Sequence, residues 1–257
     1  MTEIASRISE YFARDDAAAA WWAIDHTTGG RYGRQLAVLR ETVRPGDALA
    51  LDVATGRGRF AIEMASAGVN VVAVDIAEAM LHSARENARK RGVEGRLRFV
   101  HGDATKPGIV AGPFDLITIM EVLVHLSEPE ATIARLASLL SPGGRLVLNY
   151  DFAHAPKITY PIDRVHGLLR TLRRGRIRSD YVMYDTVEQT LQALKTRDAD
   201  GRFVMRPRDA YRGLSRKRVR SAVASAGLRI DRTELEYTSL VRWRFPVPIG
   251  EMLVCRM

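Results

Sequence analysis

The chain has 257 residues, of which 46% are apolar, enough for one large domain with a substantial core or for a domain with an appended part. No apolar run is long enough to span a bilayer, and the charged N-terminal stretch lacks the apolar centre of a signal peptide. The single cysteine, Cys255, excludes an internal disulfide and a metal cluster built from cysteines, so we expect a reducing, cytoplasmic setting.

The net charge of +9 is confined to one part of the chain. Residues 160–220 contain 16 Lys and Arg against 7 Asp and Glu, which accounts for the whole excess. A concentrated basic segment indicates either an anionic partner, such as a phosphate group, a membrane surface or a nucleic acid, or a solvated arginine-rich surface. Composition alone leaves both interpretations open.

Apolar side chains at helical spacing, among them Ile4, Ile8 and Phe12, predict helices within residues 1–44. From there, apolar strands alternate with helices up to residue 150. The predicted strands are ALALDVA at 48–54, VNVVAVD at 69–75, RLRFVHGD at 96–103, FDLITIM at 114–120 and RLVLNY at 145–150. The predicted helices between them cover 59–68, 77–92 and 128–140, the last closed by SPGG at 141–144. This alternation is typical of a parallel sheet with helices on both faces.

The pattern loosens after Tyr150, where residues 151–214 carry scattered glycines and prolines. Regular structure is predicted again from Ser215, which caps a helix over 215–227. Strands are predicted for 228–236 and 250–257, so the chain ends in a strand pair.

The first strand ends at Asp52, and a turn through Gly56 and Gly58 then opens a helix. In an open parallel sheet, ligands bind beyond the carboxyl ends of the strands, and glycines allow close backbone approach to the ligand. Gly56, Gly58 and Ala61 fit the GxGxxA pattern of dinucleotide-binding proteins, which is weak evidence by itself. The fixed anion of Asp52 disfavours a pyrophosphate and suits a cofactor with a cationic amino-acid end.

Five stretches resemble, in order and spacing, motifs of the class I S-adenosylmethionine-dependent methyltransferases: LDVATGRGRF, VVAVD, HGDA, FDLITIMEVLVHL and LLSPGGRLVL. Ala54-Thr55 stands where the family more often has Gly-Cys, a variant similar to that of quinone-biosynthesis methyltransferases. The resemblance covers about residues 48–150. It implies a doubly wound α/β fold with a seven-stranded, mostly parallel sheet, S-adenosylmethionine as cofactor, and methyl transfer as activity.

The resemblance also implies which residues contact the cofactor. In chain order these are Asp52, Ala54, Gly56, Gly58, Asp75, Ile76, Asp103, Ala104 and Glu121. The residues from Asp52 to Gly58 would face the methionine part of the cofactor, and Asp75 would accept hydrogen bonds from its ribose hydroxyls. Asp103 would accept a hydrogen bond from the adenine amine, and Glu121 would lie beside the sulfonium end. The alternatives are a helix-capping aspartate at 75, a loop aspartate at 103 and a surface acid at 121.

Methyl transfer is an in-line displacement that requires little covalent chemistry of the protein. The protein must align the reactants, exclude water and, for a hydroxyl nucleophile, remove a proton. His125, after the fourth strand, is the candidate base, with packing or capping as its alternative role. Tyr150 and Asp151, at the end of the fifth strand, are further catalytic candidates. Val124 stands where some quinone-pathway relatives carry a metal-binding glutamate, so no metal is predicted.

The resemblance also divides the chain into parts. Residues 1–44 would form a helical lid, 45–150 the cofactor-binding core, 151–214 an insertion that builds the acceptor pocket, and 215–257 a helix and strand pair that complete the core. The residues predicted to contact the acceptor are Trp22, His154, Arg173 and Arg174.

Arg216, Lys217 and Arg218 occupy the first turn after Ser215, where each cation costs about 0.3–1 kcal/mol. An anion held there would offset that cost, or the long side chains simply reach water.

We therefore predict methyl transfer to an oxygen or nitrogen of a small-molecule acceptor in a biosynthetic pathway, with the acceptor anionic (a phosphorylated molecule, for example) or linked to a membrane lipid. In the latter case the cytoplasmic protein would be peripheral to the membrane. An RNA methyltransferase ranks lower, since no RNA-binding module or stacking signature is present. A non-catalytic S-adenosylmethionine-binding regulatory protein is the other alternative, and a homodimer is left open.

Overall fold

The computed structural model describes residues 30–106, 108–126, 128–152, 214–239 and 246–257. The predicted acceptor contacts Trp22, His154, Arg173 and Arg174 lie outside these residues, as do most of the predicted lid and insertion. The predicted division of the chain into four parts therefore stays a prediction. Within the described ranges, no helix is long and apolar enough to cross a bilayer.

The described residues contain seven strands that form one sheet. They are β1 (Leu49–Val53), β2 (Asn70–Asp75), β3 (Leu97–His101), β4 (Phe114–Ile119), β5 (Leu140–Asp151), β6 (Arg229–Ser239) and β7 (Pro246–Arg256). Their spatial order is β3-β2-β1-β4-β5-β7-β6, and β7 runs antiparallel to both of its neighbours, whereas all other pairs are parallel. The predicted doubly wound, mostly parallel seven-stranded sheet is confirmed.

Helices cover both faces of the sheet. Those of the described residues are α1 (Gly30–Thr42), α2 (Arg59–Ser66), α3 (Glu78–Arg91), α4 (Pro129–Ala137) and α5 (Arg216–Ser225), with short 3-10 turns at Glu94–Arg96 and Leu123–His125. Alternate strand residues pack into two separate apolar clusters. Leu51 and Ile117 share one with α4 and α5, whereas Ala50 and Leu116 share the other with α1 and α2. This continuous burial explains why the strands read as unbroken apolar runs.

The chain reverses its direction of travel across the sheet between β1 and β4. From β1 it proceeds to β2 and β3 on one side, and then returns to β4 and β5 on the other. The carboxyl ends of β1 and β4 therefore flank the crevice where open α/β sheets bind ligands. We call this side of the sheet the carboxyl edge.

Two local predictions differ from the structure. The SPGG stretch, predicted as a turn before the fifth strand, lies inside β5, which begins at Leu140. Gly144 makes this possible, because a Cβ there would lie 2.9 Å from the Phe114 carbonyl oxygen of β4. The last two strands are also longer than predicted, because β6 and β7 pair with each other along almost their whole length.

Candidate active site at the carboxyl edge

The loop between β1 and α2 adopts a conformation that favours glycine. Ala54, Gly56 and Gly58 have φ values of 55°, 54° and 83°. Gly58 is closely packed, since a Cβ would lie 3.1 Å from Ile62 Cδ1 and 3.3 Å from Ala84 Cβ, and its φ of 83° is strained for any other residue. At Gly56, by contrast, a Cβ would meet no atom of the described residues within 4 Å, so among these residues the loop borders open space there. A ligand can therefore approach the backbone at Gly56.

Asp52 lies beneath this loop and is 1% exposed. Its carboxylate accepts hydrogen bonds from the hydroxyls of Thr118 and Thr55, the latter at 2.6 Å, and from the Ala61 amide at 3.2 Å. Burial raises the pKa of Asp52 to about 6, although these hydrogen bonds act in the opposite direction. The side chain fixes the loop to β4 and to the start of α2, and its predicted contact with the methionine part stays a prediction.

Asp75, at the end of β2, lies against the same loop. Its Oδ2 accepts the Gly56 amide at 2.7 Å, and its Oδ1 accepts the Ala77 amide at 2.9 Å. Burial raises the pKa of this carboxyl group. The neighbouring Ile76 carbonyl accepts a hydrogen bond from the His101 ring at 3.0 Å, which ties the ends of β2 and β3 together.

Asp103 follows β3 and shapes the next loop. Its Oδ1 accepts the Thr105 amide at 2.9 Å and the Thr105 hydroxyl at 2.6 Å. Ala104 is buried, and its carbonyl accepts a hydrogen bond from Arg135 of α4. The structure therefore places Asp103 and Ala104 in a turn at the carboxyl edge, and their predicted adenine contacts stay a prediction.

Glu121 follows β4 in a left-handed conformation, with φ of 61°, which is rare for a residue other than glycine. Asn149 of β5 holds it in place, because its Oδ1 accepts the Glu121 amide at 2.6 Å and its amide donates to the Glu121 carboxylate. Gln35 of α1 also donates to that carboxylate, at 2.6 Å. Burial alone would raise the pKa of Glu121, but Arg31 and Arg59 outweigh it and hold the pKa below its ordinary value.

Arg31 of α1 lies at the centre of three carboxylates. Its Nη2 is 2.6 Å from Glu236, 2.8 Å from Asp151 and 3.2 Å from Glu121. The carboxylates raise the pKa of Arg31, although burial acts against them. Burial raises the pKa of Glu236, and the nearby Glu121 adds to this effect. We call Arg31, Glu121, Asp151 and Glu236 the arginine–carboxylate cluster.

A glycine makes room for this cluster. Gly250 of β7 pairs with Asp151 on one side and with Glu236 on the other, so the three residues form a row across three strands. A Cβ at Gly250 would lie 2.9 Å from Asp151 Oδ1 and 2.5 Å from the Tyr150 carbonyl oxygen. A side chain at Gly250 would therefore force Tyr150 or Asp151 to move.

The predicted catalytic residues separate in the structure. Asp151 belongs to the arginine–carboxylate cluster, whereas Tyr150, one residue earlier on β5, points to the opposite face and donates its hydroxyl to Glu251. Burial, reinforced by Glu251, raises the pKa of Tyr150. His125 lies in the 3-10 turn after β4, and its side chain is outside the described atoms. The catalytic roles of all three stay predictions.

Arginines in the first turn of α5 form ion pairs with carboxylates of the protein itself. Glu251 Oε2 lies 2.9 Å from both Arg216 and Arg220, and Arg218 pairs with Glu130 of α4. The side chain of Glu251 is fully buried, so two arginines compensate a carboxylate inside the protein. These contacts provide the offsetting anion that the sequence pattern suggested, without an external ligand.

Several residues at the carboxyl edge were not predicted from the sequence: Arg31, Gln35, Arg59, Asn149 and Glu236. Gln35 and Glu236 lie 201 residues apart in the chain and are joined by a hydrogen bond of 2.6 Å. The only available signal was a polar side chain inside an apolar strand, as at Asn149 in RLVLNY. Within the described part of the chain, no group of three or more His, Cys, Asp or Glu side chains could hold a metal ion.

Residues 50–144 match the sequence profile of a family described as a methyltransferase domain. This segment is a class I methyltransferase domain. The family predicted from the sequence is thereby confirmed, and with it S-adenosylmethionine as the cofactor of the domain. The profile covers β1 to the start of β5, so it contains the glycine loop, Asp75, Asp103 and Glu121.

Two curated relatives of the methyltransferase domain carry names from quinone biosynthesis. A ubiquinone biosynthesis O-methyltransferase of Xanthomonas axonopodis pv. citri is 34% identical over 137 residues, which is 51% of this chain and 56% of that protein. A demethylmenaquinone methyltransferase of Clavibacter sepedonicus is 38% identical over 98 residues, which is 38% of this chain and 39% of that protein. The chain thus spans about half the length, or less, of these relatives.

Solved structures resemble the whole described fold. A magnesium protoporphyrin IX methyltransferase from Synechocystis PCC 6803, with bound SAH, has a TM-score of 0.63 at 19% identity and covers 98% of this chain and 99% of its own. A [4+2]-cyclase has a TM-score of 0.54, also at 19% identity, over 79% of this chain and 60% of its own. At this identity the likeness concerns the fold alone.

Proposed function

We propose that the protein is an S-adenosylmethionine-dependent methyltransferase that acts on an oxygen or nitrogen of a small molecule in a biosynthetic pathway. The observation that carries this proposal is the buried Asp75 carboxylate beside the open space over Gly56, within a methyltransferase domain. The names of the curated relatives support methyl transfer within the biosynthesis of a quinone.

The described residues fit the cofactor. The Asp75 carboxylate accepts the backbone amides of Gly56, Ala77 and Ile76, and its remaining acceptor capacity would take a ribose hydroxyl. Asp103 would accept the adenine amine, and Glu121 would lie beside the sulfonium. When bound, S-adenosylmethionine supplies an electrophilic methyl group, so the residues of the chain need only hold and orient the reactants and remove a proton. His125 and Asp151 are the proposed proton acceptors.

The acceptor is proposed to be anionic or lipid-linked. Support comes from the basic excess of residues 160–220 and from the quinone-pathway names of the relatives. The described end of that segment contributes less than its charge suggests, because Arg216, Arg218 and Arg220 pair with internal carboxylates. The support therefore rests on the arginines of residues 160–213.

Calorimetry with S-adenosylmethionine and with NAD tests the cofactor, and preference for NAD would refute the proposal. Transfer of a radiolabelled methyl group is then measured with demethylmenaquinone, a demethylated ubiquinone precursor and bulk tRNA. Labelling of a quinone precursor is expected. Labelling of tRNA in about 0.2 M salt, where non-specific phosphate contacts are weak, would favour an RNA methyltransferase instead.

A second candidate is a protein that binds the cofactor and does not transfer its methyl group. The structural likeness to a [4+2]-cyclase favours testing it, because this fold also occurs in a protein named for a different reaction. Binding of S-adenosylmethionine with micromolar affinity, without labelling of any acceptor in a broad panel of phenols, amines and quinones, would support this candidate.

A further inference from the structure

Gln35 of α1 is a buried glutamine, 1% exposed, whose side-chain amide joins three parts of the carboxyl edge. Its Nε2 donates to Glu121 and to Glu236, at 2.6 Å in both cases. Its Oε1 accepts a hydrogen bond from Nη2 of Arg59 at 3.1 Å. Acids on one side and a guanidinium on the other determine which end of the amide is the nitrogen, so the side chain has one defined orientation.

The two carboxylate oxygens of Glu121 are in different surroundings. Oε1 accepts hydrogen bonds from Gln35 and Asn149 and lies 3.2 Å from Nη2 of Arg31. Oε2 forms no hydrogen bond or ion pair with the described residues. The Glu121 side chain is 23% exposed, whereas the other two acids of the arginine–carboxylate cluster are 7% and 6% exposed. One oxygen therefore holds the side chain in place, and the other is available to a ligand.

The available oxygen carries negative charge. Burial raises the pKa of Glu121, but Arg31 and Arg59 outweigh it, and the hydrogen bond from Gln35 acts in the same direction as these cations. The carboxylate is therefore ionised at neutral pH, and in a partly buried site it attracts a cation more strongly than it would in bulk water. S-adenosylmethionine carries a sulfonium cation. S-adenosylhomocysteine, which remains after methyl transfer, has a neutral thioether in its place.

We propose that Gln35 is a positioning residue that holds Glu121 with Oε2 toward the sulfonium, which makes binding selective for the charged cofactor over the neutral thioether. This inference rests on the proposed function. Loss of Gln35 would remove a donor that Glu121 and Glu236 share, and two carboxylates that lose a common donor repel each other or bind a proton. Gln35 lies before the family match at residues 50–144, so this contribution comes from α1 and not from the matched domain.

The test measures the ratio of the affinities for S-adenosylmethionine and S-adenosylhomocysteine by calorimetry. Gln35→Met replaces the amide by an apolar side chain of similar length. It should weaken binding of S-adenosylmethionine about 5- to 10-fold and that of S-adenosylhomocysteine less than about twofold. The control Val38→Ala loosens the packing of α1, where Val38 is 3% exposed, and removes no polar side chain. It should leave the ratio unchanged.

A double-mutant comparison shows whether Gln35 acts through Glu121. Glu121→Gln removes the anion and should lower the ratio at least as much as Q35M does. Adding Q35M to E121Q should then change the ratio no further. Effects of the two substitutions on the ratio that simply add would overturn the inference.

Two results with Q35M alone would also overturn it. They are an unchanged ratio and an equal weakening of both compounds, which would indicate a structural role. Circular dichroism shows whether Q35M is folded. If it is not, Gln35→Asn, which keeps an amide but is one methylene shorter, takes its place with the same expected fall in the ratio. If the wild type binds neither compound, the proposed function fails, whereas binding of both with a ratio that these variants leave unchanged refutes only the role of Gln35.

Discussion

Replacement of Asp52 by asparagine should make the protein less sensitive to rising pH. Asp52 is 1% exposed, and burial raises its pKa from the ordinary value of 3.8 to about 6. Between these two values the native state binds the proton more tightly than the unfolded chain does. The free energy of unfolding therefore falls as the pH rises through this window, and the loss is complete above about pH 6.

The size of the effect follows from the two pKa values. They differ by about two units, and one unit corresponds to about 1.4 kcal/mol, so ionisation of Asp52 should lower the free energy of unfolding by about 3 kcal/mol. In Asp52→Asn the amide stays neutral at every pH. Its oxygen can still accept from Thr55 and Ala61, and Thr118 can turn its hydroxyl toward the Leu51 carbonyl, 3.4 Å away.

The asparagine amide itself changes the free energy of unfolding by an amount that does not depend on pH. Only the pH dependence of the difference between wild type and D52N is therefore used. Urea unfolding of wild type and D52N, followed by circular dichroism at several pH values from 4 to 8, gives the difference in free energy of unfolding. We expect this difference to move by about 3 kcal/mol in favour of D52N as the pH rises. A difference that stays constant within about 0.5 kcal/mol across this range would refute the reasoning.

Three further predictions concern the site and its support. Asp75→Ala should weaken S-adenosylmethionine binding more than tenfold in calorimetry, because hydrogen bonds to a charged acceptor are lost, and an unchanged affinity would contradict the ribose assignment. Glu251→Gln should lower the free energy of unfolding in urea by about 1–3 kcal/mol, since two partly exposed arginines lose hydrogen bonds to a buried carboxylate. The matched change Glu130→Gln, at a more exposed pair, should cost less than about 1 kcal/mol, and equal losses would disprove the distinction. His125→Ala should lower turnover at saturating cofactor and leave cofactor affinity intact, and full turnover would exclude it as the base.

Local features of the sequence were sufficient for the sheet and the glycine loop. A strand that carries Asp52 near its end and is followed by glycines can be identified within about ten residues, and the left-handed φ values of Gly56 and Gly58 agree with that pattern. Asp75 could be placed in the same way, because parallel strands end at one edge of the sheet.

The arginine–carboxylate cluster could not be predicted, because its members come from distant parts of the chain. Arg31 and Asp151 are 120 residues apart, and the sequence around either residue does not predict a contact with the other. The first turn of α5 illustrates the same limit. The sequence left open whether an anion or water compensates its arginines, and Arg216 pairs with Glu251, 35 residues later in the chain.

The row Asp151–Gly250–Glu236 has a consequence for how such proteins diverge. It is assembled from β5, β7 and β6, and all three of its residues lie after the end of the family match at residue 144. Two chains that share the same cofactor domain can therefore carry different charges at the carboxyl edge through the end of β5 and the β6–β7 pair. Gly250 in the middle strand packs so closely against β5 that a single methyl group there would force Tyr150 or Asp151 to move, and Asp151 is one of the acids that contact Arg31 of α1.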